Sequence, residues 1–294
     1  MLRIERILCP TDFSEFSEKA YDYALSLARH YGSEVLLQHV VRPLTLGYPE
    51  YAIPDSVDEF YGELRGHAEE QLREFAKVRA QDGAHSRVIV DEGVVTDCIL
   101  ALAKEQTVDL IVMGTHGRRG FERLALGSVT EKVLRKAPCP VLVVRKPAHD
   151  FVVPAKGVES VQLRKILFCS DFSECSDRAL LYALSLATEY KAELALLHVL
   201  EHPPASSDLP AETERIRRRL EDSIPEEARN CCKIQSFVHT GKPHEEIVRV
   251  AQEVQAELVV VGVRGRNALD LALFGSTTHR VIQLGTSPVL AVHI

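Results

Sequence analysis

The chain has 294 residues, of which 46% are hydrophobic and 26% charged, with a formal net charge of -7. That length suffices for two ordinary domains with real cores, and no long block of one charge sign marks a general nucleic-acid or anionic-membrane binder. The apolar runs are only strand-length, too short to span a membrane as a helix, and the opening MLRIERILCPTDFSE is too polar to read as a signal peptide.

Arg6 to Pro10 predicts a short buried strand, followed by helix-capping groups from Thr11 to Ser17. Ala20, Tyr21, Ala24, Leu25, Leu27, Ala28 and Tyr31 then recur at helical spacing, and Gly32 ends that helix. Glu34 to Val41 is a second strand, and an irregular stretch rich in Pro and Tyr runs to Asp58. Glu59 to Gln81 reads as a charged helix, Ser86 to Asp91 as a strand, Asp97 to Glu105 as a helix and Asp109 to Met113 as the fourth strand. Past a glycine-bearing loop come a helix from Val129 to Lys136 and a fifth strand from Val141 to Arg145. Alternating strands and helices, with strands apolar throughout, predict an α/β fold: a doubly wound five-stranded parallel sheet covered on both faces.

Residues 147–163 carry prolines, a glycine and no sustained periodicity, and are expected to be a linker between residues 1–146 and residues 164–294. From Arg164 the scheme starts again. Asp12 corresponds to Asp171, Tyr23 to Tyr182 and His39 to His198, and the run Tyr-Ala-Leu-Ser-Leu-Ala is identical in both copies. The chain is therefore an internal duplication, its second copy shorter by about eleven residues between strands two and three. A charged helix from Ala211 to Asp222 is expected there, with Pro225 interrupting it. The seven cysteines, at 9, 98, 139, 169, 175, 231 and 232, include no C-x-x-C pair, which fits reduced thiols in a cytoplasm.

In a doubly wound sheet, ligands sit beyond the carboxyl ends of the strands where the strand order reverses. Two repeated features converge there. Strand one ends in Pro10-Thr11-Asp12, and in the second copy in Cys169-Ser170-Asp171. Strand four ends at Met113-Gly114, followed by His116, Gly117, Gly127, Ser128, Val129 and Thr130; the copy has Val261-Gly262, Arg264, Gly265, Gly275, Ser276, Thr277 and Thr278. Glycines let a phosphate approach the backbone, helix N-termini offer N–H groups to an anion, and the carboxylates could accept ribose hydroxyls. His116 exchanging with Arg264 suits a basic group near phosphate better than a metal ligand. Each feature also has a plain structural reading: Ser128 to Glu131 forms a capping box, and Gly114 and Gly262 are strand-end turn residues. Neither loop is a P-loop, because no G-K-[ST] ends it. No C-x-x-C pair is present to complete a structural zinc site with any of the twelve histidines. No nucleophile–base pair accompanies the aspartates, so the sequence does not argue for fast turnover.

These residues resemble the universal stress protein family in its tandem form. The nucleotide-binding members carry G-x2-G-x9-G-[ST], matched by Gly114, Gly117, Gly127 and Ser128 and again by Gly262, Gly265, Gly275 and Ser276. The ending Pro10 to Ser14 and the last strands after Pro140 and Pro288 match as well. The resemblance implies strand order 3-2-1-4-5 in each sheet, an adenine nucleotide alpha hydrolase-like fold, and ATP, ADP or AMP in the crevice between strands one and four. Asp12 and Asp171 would meet ribose, backbone near Val40-Val41 and Val199-Leu200 the adenine edge, and the glycines with their hydroxyl neighbours the phosphates. A Mg2+ or Mn2+ ion would be held through those phosphates. The family pairs domains through the last strand, which implies an internal pseudo-dimer here and leaves a further homodimer open. The leading reading is a stress-response protein that changes conformation or partner with nucleotide. The alternatives are a slow ATP hydrolase using the same loops and a carrier or scaffold whose pockets have lost nucleotide.

Overall fold

Apolar strands and amphipathic helices alternate twice along the chain, and the computed structural model shows the same unit built twice. The structure describes residues 2–42, 55–79, 84–115, 126–145, 150–155, 158–205, 207–263 and 276–293; for 55–61, 153–155, 158–160 and 276 it describes the backbone alone. The first half runs β1 (Arg6–Pro10), α1 (Glu15–Tyr31), β2 (Glu34–Val41), α2 (Asp55–Val78), β3 (His85–Glu92), α3 (Val95–Glu105), β4 (Leu110–Gly114), α4 (Ser128–Lys136) and β5 (Val141–Val144). A hairpin of β6 (Val152–Ala155) and β7 (Val158–Val161) follows. The second half runs β8 (Lys165–Cys169), α5 (Glu174–Tyr190), β9 (Glu193–Leu200), α6 (Leu209–Asp222), α7 (Glu226–Cys231), β10 (Ile234–Thr240), α8 (Pro243–Glu253), β11 (Leu258–Val263), α9 (Ser276–Leu284) and β12 (Val289–His293).

Within each half the strands are parallel, ordered β3-β2-β1-β4-β5 and β10-β9-β8-β11-β12. The two sheets are not separate: β5 and β12 pair antiparallel and fuse them into one ten-stranded sheet. The register of that pair sets Leu142 opposite Leu290, which are equivalent residues of the two copies. Self-pairing of equivalent residues is the signature of a two-fold axis, here internal to one chain. The pairing removes two apolar edges that would otherwise stand open.

Successive strand residues serve opposite faces. Ile7 and Cys9 join a core with α1 and α5, whereas Leu8 joins a second core under α3, α4, α8 and α9. Both cores cross the seam between the halves, the first through Leu142 and Leu290, the second through Val141, Val143, Val289 and Ala291. Burying a leucine of this kind contributes roughly 1.5–3 kcal/mol. The termini of α1 follow from its sequence. Ser14 caps the start by accepting from Ser17 N–H, and Gly32 takes φ 70° at the end. Helix α5 starts the same way on Ser173, but Lys191 takes the left-handed end position at φ 53°.

The expected linker holds more structure than its composition suggests. Its hairpin packs on α1: Tyr23 Oη donates to Asp150 Oδ1 at 2.5 Å, Lys19 Nζ lies 2.5 Å from Asp150 Oδ2, and Phe151 meets Tyr23 edge-on at 4.7 Å. Four-residue strands that contain Pro154 give too short a pattern to read. The charged helix α6 and the break at Pro225 appear as expected, with Pro225 at the N-cap of α7.

Candidate functional site

The carboxyl ends of β1, β2 and β4 lie side by side, and the strand order turns back at β1. This is the switch-point edge, and each half has one. Pro10 closes β1, and Thr11 N–H donates to the Gln38 carbonyl at 2.8 Å, so Asp12 follows directly beyond the edge. In the second half Ser170 N–H donates to Leu197 in the same manner, at 2.9 Å.

The turn after each strand is built identically from side-chain oxygens. Phe13 N–H donates to Thr11 Oγ1 at 3.0 Å and Ser14 N–H to Asp12 Oδ1 at 3.2 Å. The copy repeats this with Phe172 to Ser170 Oγ at 3.1 Å and Ser173 to Asp171 Oδ1 at 3.0 Å. Between those paired bonds Phe13 and Phe172 are held at φ 61° and 59°, a region bulky residues avoid. Backbone strain of this kind costs of order 1–3 kcal/mol and clusters at ligand sites. Sequence reading passed over these phenylalanines, although their identical placement in both copies is a signal. Their rings rest on His39 and His198, each at 4.6 Å, and those histidines donate from Nδ1 to the Thr11 and Ser170 carbonyls at 2.8 Å. Burial lowers the pKa of His198, against the opposing effects of its bond to Ser170 and the charge of Asp171.

The two edges then diverge. Thr11 Oγ1 donates to Ser17 Oγ at 3.0 Å, and Ser17 Oγ turns to the Ser14 carbonyl. With serine at 170, Ser176 Oγ instead donates to Asp171 Oδ1 at 2.5 Å, beside Ser173 Oγ at the same distance. Asp171 thus accepts from two hydroxyls of this turn. An exposed cation also stands by the second edge, where the Arg219 guanidinium lies 3.9 Å from the Phe172 ring centre.

Gly114 and Gly262 have a packing reason that the sequence did not reveal. A Cβ on Gly114 would come within 2.8 Å of the Phe16 carbonyl group, and one on Gly262 within 2.5 Å of Cys175 C. Neither is a positive-φ turn residue; each lets β4 or β11 press against the first turn of α1 or α5. Gly127 is the N-cap of α4, with φ -61°, and receives no side-chain cap bond. Ser128 is therefore the first helical residue rather than the cap, so the capping box of the plain structural reading does not form, and Glu131 pairs instead with Arg135 at 2.7 Å. Gly127 N–H donates to the Thr115 carbonyl at 2.8 Å, bringing the start of α4 to the strand edge. Thr130 is buried, and its hydroxyl donates to the Gly114 carbonyl at 2.9 Å. Thr278 is buried likewise. The helix start thus offers its backbone N–H groups, with Ser128 exposed and Val129 and Thr277 partly accessible.

Met113 and Val261 are core residues at the strand ends. Val40 is buried and Val41, Val199 and Leu200 half-buried. The Val41 and Leu200 carbonyls already accept from Gly93 and Gly241 N–H at 3.0 Å. His116, Gly117, Arg264, Gly265 and Gly275 lie outside the described residues, as does the side chain of Ser276. Among the described residues no group of His, Cys, Asp and Glu could hold a metal ion, and no helix is long and apolar enough to cross a membrane. None of the seven cysteines is disulfide-bonded.

Known proteins similar to this chain are numerous. A universal stress protein of Methanocaldococcus jannaschii is 37% identical over 148 residues, spanning 50% of this chain and 85% of its own. A universal stress protein of Mycolicibacterium smegmatis is 27% identical over 297 residues, covering 97% of this chain and 96% of its own. The crystal structure of a universal stress protein from Archaeoglobus fulgidus superposes with a TM-score of 0.68 at 24% identity, over 98% of this chain and 96% of that one, and shares the fold. The universal stress protein family model matches twice, at residues 3–145 and 162–293, and the chain belongs to that family in a tandem arrangement.

Proposed function

We propose that this chain binds adenine nucleotide, ATP or its ADP and AMP relatives, at both switch-point edges and acts in stress response through nucleotide-dependent conformation or partner binding. The observation that carries the proposal is the strand-one edge built twice with a carboxylate directly after it, joined in the first half by a helix N-terminus brought beside the end of strand four. Backbone N–H groups and the dipole at the starts of α4 and α9 favour phosphate. Asp12 and Asp171 would meet ribose hydroxyls, and backbone near Val40-Val41 and Val199-Leu200 the adenine edge. A Mg2+ or Mn2+ ion would be held through the phosphates, since the described residues offer no cage for it. The work is done by a difference in partner affinity between liganded and unliganded chain. A cytoplasmic setting belongs to the same proposal.

The test is to denature freshly purified protein, identify any nucleotide released, and titrate ATP into stripped protein. The proposal expects an adenine nucleotide in the released fraction or saturable binding in the titration. Absence of both would sink it.

A further inference from the structure

Arg145 and His293 occupy equivalent positions, one directly after β5 and the other closing β12, and each reaches into the opposite half. Arg145 Nη1 donates to the carbonyls of Ile282 at 3.2 Å, Gln283 at 2.8 Å and Gly285 at 2.6 Å, around the end of α9. His293 Nε2 donates to the Leu134 carbonyl at 2.5 Å, in the last turn of α4. The last carbonyls of a helix lack partners within it, and its C-terminal end carries partial negative charge. Each helix end, already closed on one carbonyl by its own chain, therefore takes a further contact from a group that its own half does not supply.

The position of these two helices gives the contacts their meaning. Helix α4 begins at the first candidate phosphate edge and α9 follows the second glycine loop. A nine-residue helix is a rod of about 13 Å, so fixing its far end fixes where its N–H groups point. We infer that Arg145 and His293 are positioning residues for the nucleotide site of the opposite half, so that each site is complete only when the two halves are joined. The inference rests on the nucleotide reading above. Arg145 is a cation set on three carbonyls, so the second site depends strongly on its anchor.

The test uses the full-length chain with one site disabled at a time. Gly127→Val leaves the second site to be read, and Gly275→Val leaves the first. In the Gly127→Val chain, Arg145→Met should weaken ATP about fivefold, whereas in the Gly275→Val chain it should change affinity by less than about twofold. His293→Met should show the mirror pattern, and Arg145→Lys should recover part of the loss. Equal weakening in both backgrounds would mean general loosening and would overturn the inference, as would no change in either. Hydrogen exchange separates this failure from failure of the nucleotide reading. Arg145→Met should speed exchange in α9 and not α4, and His293→Met the reverse, whether or not nucleotide binds. If the single-site chains bind no ATP but exchange follows that pattern, the nucleotide reading fails while the cross-half anchoring stands; if exchange is unselective, the anchoring fails as well.

Discussion

Gly114 lies so close to Phe16 that a Cβ at 114 would stand 2.8 Å from the Phe16 carbonyl carbon and oxygen. The contact is with backbone, so no side-chain rotation can relieve it. Gly114→Ala should destabilise the fold by about 1–3 kcal/mol, and Gly262→Ala, whose Cβ would come within 2.5 Å of Cys175 C, by at least as much. Chemical denaturation of both variants checks this. Wild-type stability in either would show that the strand end can yield.

Thr130 gives a companion prediction. Its hydroxyl bond to the Gly114 carbonyl is buried, and Thr130→Val keeps the shape while orphaning that carbonyl. The loss should be about 1–3 kcal/mol, with Thr130→Ser retaining most of the stability. Equal stability of the Val and Ser variants would remove this joint from the account.

The fold was legible because its signals are local. Apolar runs such as Arg6 to Pro10 and Glu34 to Val41 have the length of strands, Gly32 marks a helix end, and the duplication checks each assignment against its copy. The glycine edge was legible as a pattern but not in its causes. Gly114 is demanded by Phe16, nearly a hundred residues earlier, and Thr130 turns inward to a carbonyl that no spacing rule identifies. Ser128 looked like a cap because Glu131 completes the box in sequence, yet Glu131 pairs with Arg135. Arg145 and His293 were invisible for the same reason, since their partners lie on the far side of the internal axis. Phe13 and Phe172 run against local preference altogether, because two side-chain oxygens on either side hold them at positive φ.

The two copies also supply an internal control at their first helices. Gly32 takes the left-handed end of α1 without strain, while Lys191 is forced into it at the end of α5. Lys191→Gly should stabilise the chain by about 1 kcal/mol. Calorimetric melting checks the direction; a lower melting temperature would contradict it.

Histidine burial sets a pH dependence. The pKa values of His198 and His244 are both lowered from 6.5, chiefly by burial, with Arg280 adding to the effect at His244. The unfolded chain then takes up protons first. These groups cost nothing above the ordinary histidine range, and stability falls as pH drops through it towards their lower folded values. Urea midpoints measured between about pH 7.5 and about pH 5.5 should decline, and the double variant His198→Gln, His244→Gln should flatten the decline. An unchanged slope in that variant would place the dependence elsewhere.

The duplicated edge is proposed to be a duplicated nucleotide site. Isothermal titration of ATP with Mg2+ into nucleotide-stripped protein tests it most directly, alongside Gly127→Val, Gly275→Val and the double variant. Two ATP per chain are expected, one in each single variant and none in the double. Wild-type protein that binds no adenine nucleotide, or a double variant that binds as well as wild type, would contradict it.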